Sequence, residues 1–360
     1  MKNADSDLNS STFTTFIPRP YFSRLLHLSL VLFVAGSLIV TLIGCSTNGS
    51  SSDKKLTIYS GRTTELVEPI ILRFEEQYGV DVDVRYGSTG GLAAALLEEG
   101  RNSPADIFFS QSAGALGALS NEGSFALVPD DLLALVDPRF KPDSNDWIGI
   151  SGRARVVVFN TDVLSETDLP NSYMDYTKVE WRGRVGWAPT NASFQAFLTA
   201  LRLSKGESVA KEWISLMLDN DVKTYKNNSA IVQAVSVGDV EVGFANHYYL
   251  HRFLAEDPDL AARNHYPASG DPLGLVNAAG VGLLARDEVN PSAIDFIRFL
   301  LSEETQRYFA DEVFEYPLAK GIGTNSELPD LDDLQPPDLD LSDITDVQGT
   351  IDLLVEAGVF

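Results

Sequence analysis

Residues 55–86 read KLTIYSGRTTELVEPIILRFEEQYGVDVDVRY and contain one complete strand-helix-strand unit. Residues 55–60 form a short apolar run, which predicts a strand. Residues 64–79 carry apolar side chains at helical spacing and finish on Gly79, a natural helix stop. Residues 80–86 then alternate apolar and polar side chains, as a half-buried strand does. This segment therefore predicts a strand, a helix and a second strand in immediate succession.

The same alternation continues downstream. Residues 88–100 predict a second helix capped by Ser88 or Thr89, and residues 105–110 predict the next strand. Because strands alternate with helices, we expect an α/β fold whose sheet is parallel and has helices on its faces. Ligands of such sheets lie beyond the carboxyl ends of the strands, where helix N-termini offer free N–H groups. The first loops to search for a site are therefore 60–63, 87–91 and 110–114.

Length and charge limit the classes of function that are available. The chain has 360 residues, which suits two domains of ordinary size. Its 51 acidic and 27 basic side chains give a formal net charge of −24. We therefore expect no binding of nucleic acid, and none of an anionic membrane surface through a basic patch. Cys45 is the only cysteine, so an intramolecular disulfide is impossible.

The N-terminal part of the chain has the pattern of an export signal. An apolar run over residues 25–44 has the length of a membrane span or of a long signal peptide. It ends in LIGC at residues 42–45 and resembles the lipobox of bacterial lipoproteins, whose cysteine is lipidated. We expect a signal peptide over residues 1–45, lipidation of Cys45 and a flexible linker over residues 46–54. An uncleaved anchor helix is the alternative, and both interpretations tether the protein outside the cytoplasmic membrane.

Seven motifs follow one another in an order that is typical of one family. They are IYSGR, YGSTGGLAAALLEEG, ADIFFSQSAGALGAL, SGRARVVVFNTD, WRGRVGWAPTNASFQAFLTALR, NNSAIVQAVSVGDVEVGFANHYYLHR and AGVGLL. From about residue 55 to the C-terminus, the chain resembles the solute-binding proteins of bacterial iron(III) ABC importers, the ferric-binding or bacterial-transferrin type. The resemblance implies an α/β, two-lobed periplasmic-binding-protein fold with crossing hinge strands (type II solute-binding protein), which closes on its ligand.

The expected lobes are discontinuous in sequence. A strand-like AAGVGLLA segment returns late in the chain, and apolar periodicity predicts one helix over residues 291–313. We therefore expect lobe 1 to hold residues 55–155 and 280–325, and lobe 2 to hold residues 156–279 and 326–360.

Residues 244–253, FANHYYLHRF, place Tyr248 and Tyr249 side by side. At a turn or a helix start two adjacent phenols can face one cleft, which a flat strand does not allow. Ferric ion prefers oxygen donors, and a phenol loses its proton readily when it binds such an ion. Tandem tyrosines at the matching position are iron ligands in the family that the chain resembles, which implies this role for both residues. The alternative is that one ring packs under the loop while the other covers a surface.

The first lobe departs from the family pattern. Many members carry histidine, or histidine and tyrosine, after the first strand, where this chain has Thr63 and Thr64. A glutamate ligand of some members matches Gln111, and a tyrosine of another branch matches Phe194. The resemblance therefore implies only weak metal or cleft contacts from Thr63 and Gln111. Iron binding would then depend on the second lobe, on a bound anion and on water.

Arginines and helix caps predict an anion site. Arg153 and Arg155 precede the predicted strand VVVFN, and a guanidinium presents a planar fork that suits carbonate or phosphate. Free N–H groups at helix starts also favour an anion, and family members bind a synergistic anion with matching segments. The alternatives are ordinary capping for the polar residues, and surface carboxylate partners for Arg62 and the other arginines. The expected anion contacts are Arg153, Arg155, Thr190, Asn191, Ser193, Asn228 and Ser229, with Asn227 in the same setting.

Three histidines in the second half are weaker candidates. His247 and His251 are four residues apart and would share one helix face, as in zinc or copper sites. No third ligand stands near them in sequence, so we expect both to be solvated. His265 has no identifiable partner.

These features predict a binding protein and no catalysis. The mature sequence has no GxxxxGK[ST] phosphate loop, no GxSxG elbow and no cysteine nucleophile. The resemblance implies a lipid-anchored extracytoplasmic protein that delivers ferric iron, free or chelated, to an ABC permease and its ATPase, with carbonate, phosphate or citrate as synergistic anion. One alternative is an importer component that binds a phosphonate, a carboxylate or a sugar phosphate. The other is a surface-anchored adhesion or scaffold module.

Overall fold

The structure, a computed structural model, describes residues 54–360. The predicted signal peptide, the lipobox residue Cys45 and all but the last residue of the predicted linker lie outside the described residues. Within residues 54–360, no helix combines the length and the apolar character that crossing a membrane requires.

The predicted strand-helix-strand unit is present at the start of the described chain. It consists of β1 (Lys54–Ser60), α1 (Thr64–Tyr78) and β2 (Val80–Tyr86). Gly79 ends α1 with a φ of 62°, a left-handed conformation that glycine adopts without steric cost. The apolar spacing seen in the sequence becomes the buried face of α1, which is formed by Leu66, Val67, Ile70, Ile71 and Phe74.

The later elements continue the alternation. The helices are α2 (Thr89–Glu99), α3 (Ala113–Asn121), α4 (Asp130–Leu133), α5 (Ala192–Lys205), α6 (Glu207–Asp219), α7 (Asn228–Ser236), α8 (Tyr248–Glu256), α9 (Pro291–Leu300), α10 (Glu303–Asp311) and α11 (Val347–Glu356). The strands are β3 (Ile107–Ser110), β4 (Phe125–Ala126), β5 (Trp147–Asn160), β6 (Val185–Trp187), β7 (Lys223–Thr224), β8 (Val242–Asn246), β9 (Ala262–His265), β10 (Val276–Leu284) and β11 (Tyr316–Pro317).

The sheet is mixed, so the prediction of a parallel sheet is only partly right. Its order is β2-β1-β3-β10-β5-β8-β6-β7, and β1 runs parallel to β2 and β3. However, β10 runs antiparallel to both β3 and β5. The physical reason is connectivity: β5 leads away from the first group of strands and β10 returns beside it, so the two strands run in opposite directions.

Strand β5 joins two groups of strands and is the central element of the fold. Its first half pairs with β10 and β11, and its second half pairs with β8 and β9. All 14 of its residues are buried. The sequence predicted only the VVVFN portion, because the preceding glycines, serine and arginines hide the strand pattern.

The hydrophobic residues form three separate cores along β5, and the third gathers residues of β5, β8, α7 and α8. The first core gathers aliphatic residues of β1, β3 and β10 with α1 and α9. The second is rich in aromatic rings and centres on Trp213, which contacts Trp187, Phe194, Phe197 and Phe244. The acidic C-terminal tail packs on the first two cores: Leu341 and Ile344 join the first, and Leu353 and Leu354 join the second.

The long helix predicted over residues 291–313 is wrong, because the chain forms α9 and α10 with a break between them. Helix α9 ends at Leu300, and Ser302 caps α10 by accepting a hydrogen bond from the Thr305 N–H at 3.4 Å. A serine inside an apolar periodic pattern can act as such a cap, since its hydroxyl replaces a helical carbonyl. Periodicity alone did not reveal the break.

Candidate functional site

Strand β5 places two arginines side by side at the centre of the protein. Ser151, Arg153 and Arg155 share one face because successive side chains of a strand point to opposite sides. All three are buried. The prediction that the arginines precede the strand is wrong, because β5 already begins at Trp147. Their guanidiniums therefore extend from a rigid, fully paired strand.

Each of these arginines has neutral partners. Arg153 Nη2 donates to the backbone carbonyl of Gln111. Arg155 Nη1 donates to Ser193 Oγ at 3.4 Å and to Asn246 Oδ1 at 3.3 Å. Among the described residues, neither arginine forms an ion pair, so the alternative of surface carboxylate partners does not apply to them.

A third buried arginine lies in the loop after β1. Arg62 Nη2 donates to Glu315 Oε1 at 2.8 Å, and both side chains are completely buried. Ser151 Oγ donates to the other oxygen of Glu315 at 2.5 Å. The partner of Arg62 is therefore a buried carboxylate from the segment after α10, and not a surface carboxylate as the alternative had it.

Mutual proximity shifts the pKa values of these groups. Burial would raise the pKa of Glu315, but Arg62 and Arg153 hold it below its ordinary value. Burial lowers the pKa of Arg155 to about 9; the charge of Arg153 acts in the same direction, and Tyr249 opposes it. Buried guanidiniums that lack counter-charge attract anions, since an anion restores the lost electrostatic stabilisation.

The tyrosine pair lies at a helix start, as expected. Strand β8 ends at Asn246, and α8 begins at Tyr248. The Tyr248 and Tyr249 rings stack with centroids 4.3 Å apart and an interplanar angle of 28°. Tyr248 is buried and Tyr249 is half-buried. Because Asn246 pairs directly with Arg155, this turn carries the phenols to the arginine face of β5.

Tyr248 shares its electrostatic environment with two of the arginines. Burial raises the pKa of its phenol well above the ordinary value, and Tyr249 and Glu315 add to this effect. Arg153 and Arg62 act in the opposite direction. We call Tyr248, Tyr249, Arg62, Arg153, Arg155 and Glu315 the tyrosine–arginine cluster.

A cleft of about 440 Å³ meets this cluster at Arg153, the member of the cluster that is among its lining residues. All three loops that the sequence marked for a search contribute to its lining. Thr63 and Gln111, the predicted weak contacts, both line it. The Gln111 amide is satisfied when its nitrogen donates to the Gly61 carbonyl and its oxygen accepts from Arg153 Nη1, each at 3.2 Å. We call the uncharged residues of this side the neutral wall: Thr63, Ser88, Thr89, Gln111 and Ser112.

Two helix starts supply the polar residues predicted for an anion. Asn191 caps α5 and accepts from the Ser193 N–H at 3.0 Å, while Asn227 caps α7 and accepts from the Ala230 N–H at 2.9 Å. Both asparagines therefore cap helices. Asn228 Nδ2 donates to Ser193 Oγ at 3.3 Å, which links the two starts. Ser193 and Asn228 are buried next to Arg155, whereas Ser229 is half-buried and Thr190 is exposed.

Several buried donors at this site lack partners. Within residues 54–360, the guanidinium atoms without a hydrogen bond include Nε of Arg62, Arg153 and Arg155. Nη1 of Arg62 and Nη2 of Arg155 are also unpaired donors, while the unpaired Oδ1 of Asn228 is an acceptor. An unpaired buried polar group is costly, so a set of unpaired donors indicates a site for an acceptor ligand.

The predicted solvation of His247 and His251 is wrong, because both rings are buried. His247 Nε2 lies 2.7 Å from the carbonyl oxygen of Phe314, and its Nδ1 lies 3.2 Å from the Ala154 N–H nitrogen. His247 therefore donates through Nε2 and accepts through Nδ1. His251 Nδ1 lies 3.3 Å from Glu327. His265, which had no identifiable partner in the sequence, is buried and lies 3.4 Å from Glu166.

Sequence analysis missed three residues that shape this site: Ser151, Asn246 and Glu315. The only local signal for Glu315 is its position as a carboxylate inside the apolar run VFEYPLA. A charge in such a run is either exposed on an edge or paired inside, and the pattern does not distinguish these cases.

Common metal-ligand clusters do not account for this site. Within residues 54–360, no group of three or more His, Cys, Asp or Glu side chains is arranged to hold a metal ion. Besides Glu315, whose two oxygens already accept hydrogen bonds, the tyrosine–arginine cluster offers the oxygens of its two phenols.

Comparisons with known proteins agree with this architecture. Residues 102–341 match the sequence profile of the family described as bacterial extracellular solute-binding protein. A Serratia marcescens protein named Fe(3+)-binding periplasmic protein is 31% identical over 339 residues, which cover 93% of this chain and 99% of that protein.

Solved structures give the same result. The crystal structure of iron-bound HitA from Pseudomonas aeruginosa is 32% identical with a TM-score of 0.80, over 85% of this chain and 99% of that one. A Trichodesmium protein solved in complex with iron and citrate is 25% identical with a TM-score of 0.73, over 84% and 99%. These likenesses confirm the predicted two-lobed type II solute-binding fold. The chain belongs to the bacterial extracellular solute-binding proteins.

Proposed function

We propose that this protein captures ferric iron together with a synergistic anion and delivers it to the permease and ATPase of an ABC importer. The observation that carries the proposal is the stacked Tyr248 and Tyr249 pair at the start of α8, beside three buried arginines. Phenolate oxygens suit a hard trivalent ion. The names of the Serratia and Pseudomonas relatives, which refer to ferric or bound iron, support the same cargo.

The phenols supply the charged oxygens of the proposed metal site. Each must lose its proton when ferric ion binds, because the metal ion stabilises the phenolate far more strongly than the protein alone. Tyr249 is half-buried, so its oxygen can reach a ligand without a change of fold. Thr63 and Gln111 contribute at most neutral oxygen atoms from the neutral wall.

The arginines supply the proposed anion site. Two phenolates offset only two of the three charges of ferric ion, and the remaining ligand positions require further oxygen donors. Carbonate, phosphate or citrate can bridge the metal and the unpaired donors of Arg153 and Arg155. Ser193 and Asn228 complete the site at the helix starts, with Asn191, Ser229 and Thr190 at its edge. The Trichodesmium complex with iron and citrate supports a carboxylate anion in particular.

Strand β5 is the proposed hinge. Lobe 1 would hold residues 55–155 and 280–325, and lobe 2 residues 156–279. The tail over residues 326–360, which the sequence assigned to lobe 2, would instead be shared, because its residues up to Ile344 pack on the first core and those of α11 pack on the second. Closure about β5 would bring the neutral wall towards the phenols and exclude water from the metal.

The proposed location is the outer side of the cytoplasmic membrane, with lipid attached to Cys45. Replacement Cys45→Ala should abolish lipid attachment or block maturation. Mass spectrometry of the membrane fraction from the producing cells measures this directly. An unmodified Cys45 within an intact N-terminus would contradict the anchor.

Titration of the iron-free protein with ferric citrate tests the proposed cargo. We expect a visible tyrosinate-to-iron charge-transfer band that saturates at one iron per chain. Colourless thermal stabilisation by phosphonates, carboxylates or sugar phosphates, without such a band, would instead favour an organic-anion importer. If the protein responds to neither kind of ligand, the remaining alternative is an adhesion or scaffold module.

A further inference from the structure

One buried carboxylate of the tyrosine–arginine cluster has no part in the proposed ligand set. Both oxygens of Glu315 already accept hydrogen bonds, from Arg62 at 2.8 Å and from Ser151 at 2.5 Å. The side chain is completely buried. It is therefore held by the protein, and its effect on a ligand must act through its charge and through Arg62.

The backbone beside Glu315 connects the arginines to the tyrosine helix. Phe314 has a φ of 61°, in the left-handed region that residues with a Cβ rarely adopt. Its carbonyl accepts a hydrogen bond from His247, and its ring stacks on His251 at a centroid distance of 4.9 Å. This turn directs Phe314 to the start of α8 and Glu315 to the arginine face of β5.

The charges of the cluster do not balance in the iron-free protein. With neutral phenols, three arginines and one carboxylate leave two positive charges in a buried region. We propose that Glu315 is a positioning residue of the anion site, an inference that rests on the proposed function. It holds Arg62 by Nη2, which leaves Nε and Nη1 of Arg62 for the anion, and its charge limits how tightly the anion binds.

This role predicts effects of opposite sign on the anion and on the metal ion. Removal of the negative charge strengthens the attraction of the three arginines for an anion, and it also adds repulsion against a metal cation. A purely structural role would differ, because loss of the fold around the cluster weakens the binding of both ligands. The sign of the two changes therefore identifies the role.

The test compares Glu315→Gln with wild-type full-length protein. Calorimetry of the iron-free protein with inorganic phosphate should show roughly tenfold tighter binding by the variant. This is the change in affinity that an electrostatic energy equal to a shift of about one pKa unit produces. Ferric titration at saturating phosphate should show roughly tenfold weaker iron binding by the same reasoning. Glu312→Gln is the matched control, because Glu312 is an exposed glutamate of the same segment, paired with Arg73. Weaker binding of both phosphate and ferric ion, or no change in either affinity, would overturn the inference.

A second variant covers the case in which Glu315→Gln does not fold, since it leaves the charge of Arg62 buried without its partner. The double variant Arg62→Gln/Glu315→Gln keeps the net charge of the cluster and removes both members of the pair. Its phosphate affinity should be roughly tenfold below wild type, because the Arg62 donors are lost. An unchanged affinity would overturn the inference.

The phosphate measurements separate this inference from the proposed function. A wild-type protein that binds phosphate but no ferric ion contradicts the proposed iron cargo, while the phosphate titrations of the variants still decide the role of Glu315. A wild-type protein that binds iron but no phosphate overturns the inference about Glu315 and leaves the iron cargo standing.

Discussion

The tyrosine–arginine cluster and the neutral wall differ in their chemistry, and the two regions meet at Arg153, which lines the cleft together with the wall. The cluster brings two phenols, three guanidiniums and one carboxylate together, and most of these groups are buried. The neutral wall offers hydroxyls, backbone N–H groups and the amide of Gln111, which is already bound to Arg153 and Gly61. In the proposed function, the cluster supplies the binding energy and the wall mainly closes the cleft over the ligand.

Replacement of both tyrosines should have the largest effect on iron binding. In Tyr248→Phe/Tyr249→Phe both rings remain and both phenol oxygens are lost, so we expect the fold to survive. Iron affinity should fall by roughly a hundredfold for each phenol, the share of one ligand in a typical metal-binding free energy. Visible absorbance during ferric citrate titration measures the loss. Tyr225→Phe, which removes a phenol that bonds to Asp239 instead, should bind iron like wild type. Tight iron binding by the double variant would contradict the proposed metal site and would favour an organic anion as the ligand of the cleft.

Arg155→Met should weaken anion binding without lowering the folding stability of the protein. The pKa of Arg155 is lowered to about 9 mainly by burial, so its charge opposes folding in the absence of an anion. The iron-free variant should therefore be as stable as wild type, or more stable by about 1 kcal/mol. Iron binding should weaken by roughly tenfold when phosphate or carbonate is the only anion, because a charge-assisted hydrogen bond is lost.

Thermal unfolding and ferric titration in each anion measure the two effects of Arg155→Met. Arg298→Met, which removes an arginine of a surface pair with Asp131, is the control. Equal iron affinity in every anion would show that Arg155 does not hold the anion.

Gln111→Glu should reduce the difference between the two sides of the cleft. It places a carboxylate on the neutral wall within reach of Arg153. We expect roughly tenfold tighter iron binding and a weaker dependence on added phosphate, since the new carboxylate adds a third ligand from the protein to the two phenols. Parallel titrations with and without phosphate check this, and Gln77→Glu on the surface is the control. If the variant lowers iron affinity at every phosphate concentration, the wall does not approach the metal.

Thr63→Ala should have the smallest effect. Thr63 lines the cleft at the start of α1, but its side chain makes no capping hydrogen bond to the helix. Iron affinity should therefore change by less than about threefold, and stability by less than about 1 kcal/mol. Ferric titration and thermal unfolding test both values. A tenfold loss of iron affinity would make Thr63 a metal contact and contradict the description of the wall as a closing surface.

Much of this site was predictable because its signals are local. The adjacent phenols at Tyr248 and Tyr249 are visible in the sequence, and the helix start that presents them follows from the strand before them. The caps Asn191 and Asn227 were also predictable, since a cap depends only on the residues that follow it. In contrast, His247 and His251 were expected to be solvated, because nothing nearby in sequence shows the segment at Phe314 that covers them.

The sequence by itself determined the α/β alternation, the boundaries of α1 and β2, and the position of the tyrosine pair, because helical and strand periodicity are properties of neighbouring residues. Only the tertiary structure decided that Arg62 pairs with Glu315, which lies 253 residues away, and that β10 returns antiparallel to β5. The balance of charge at the site depends on these contacts. They arise from the packing of distant segments around β5, and no local pattern encodes which distant segments will meet.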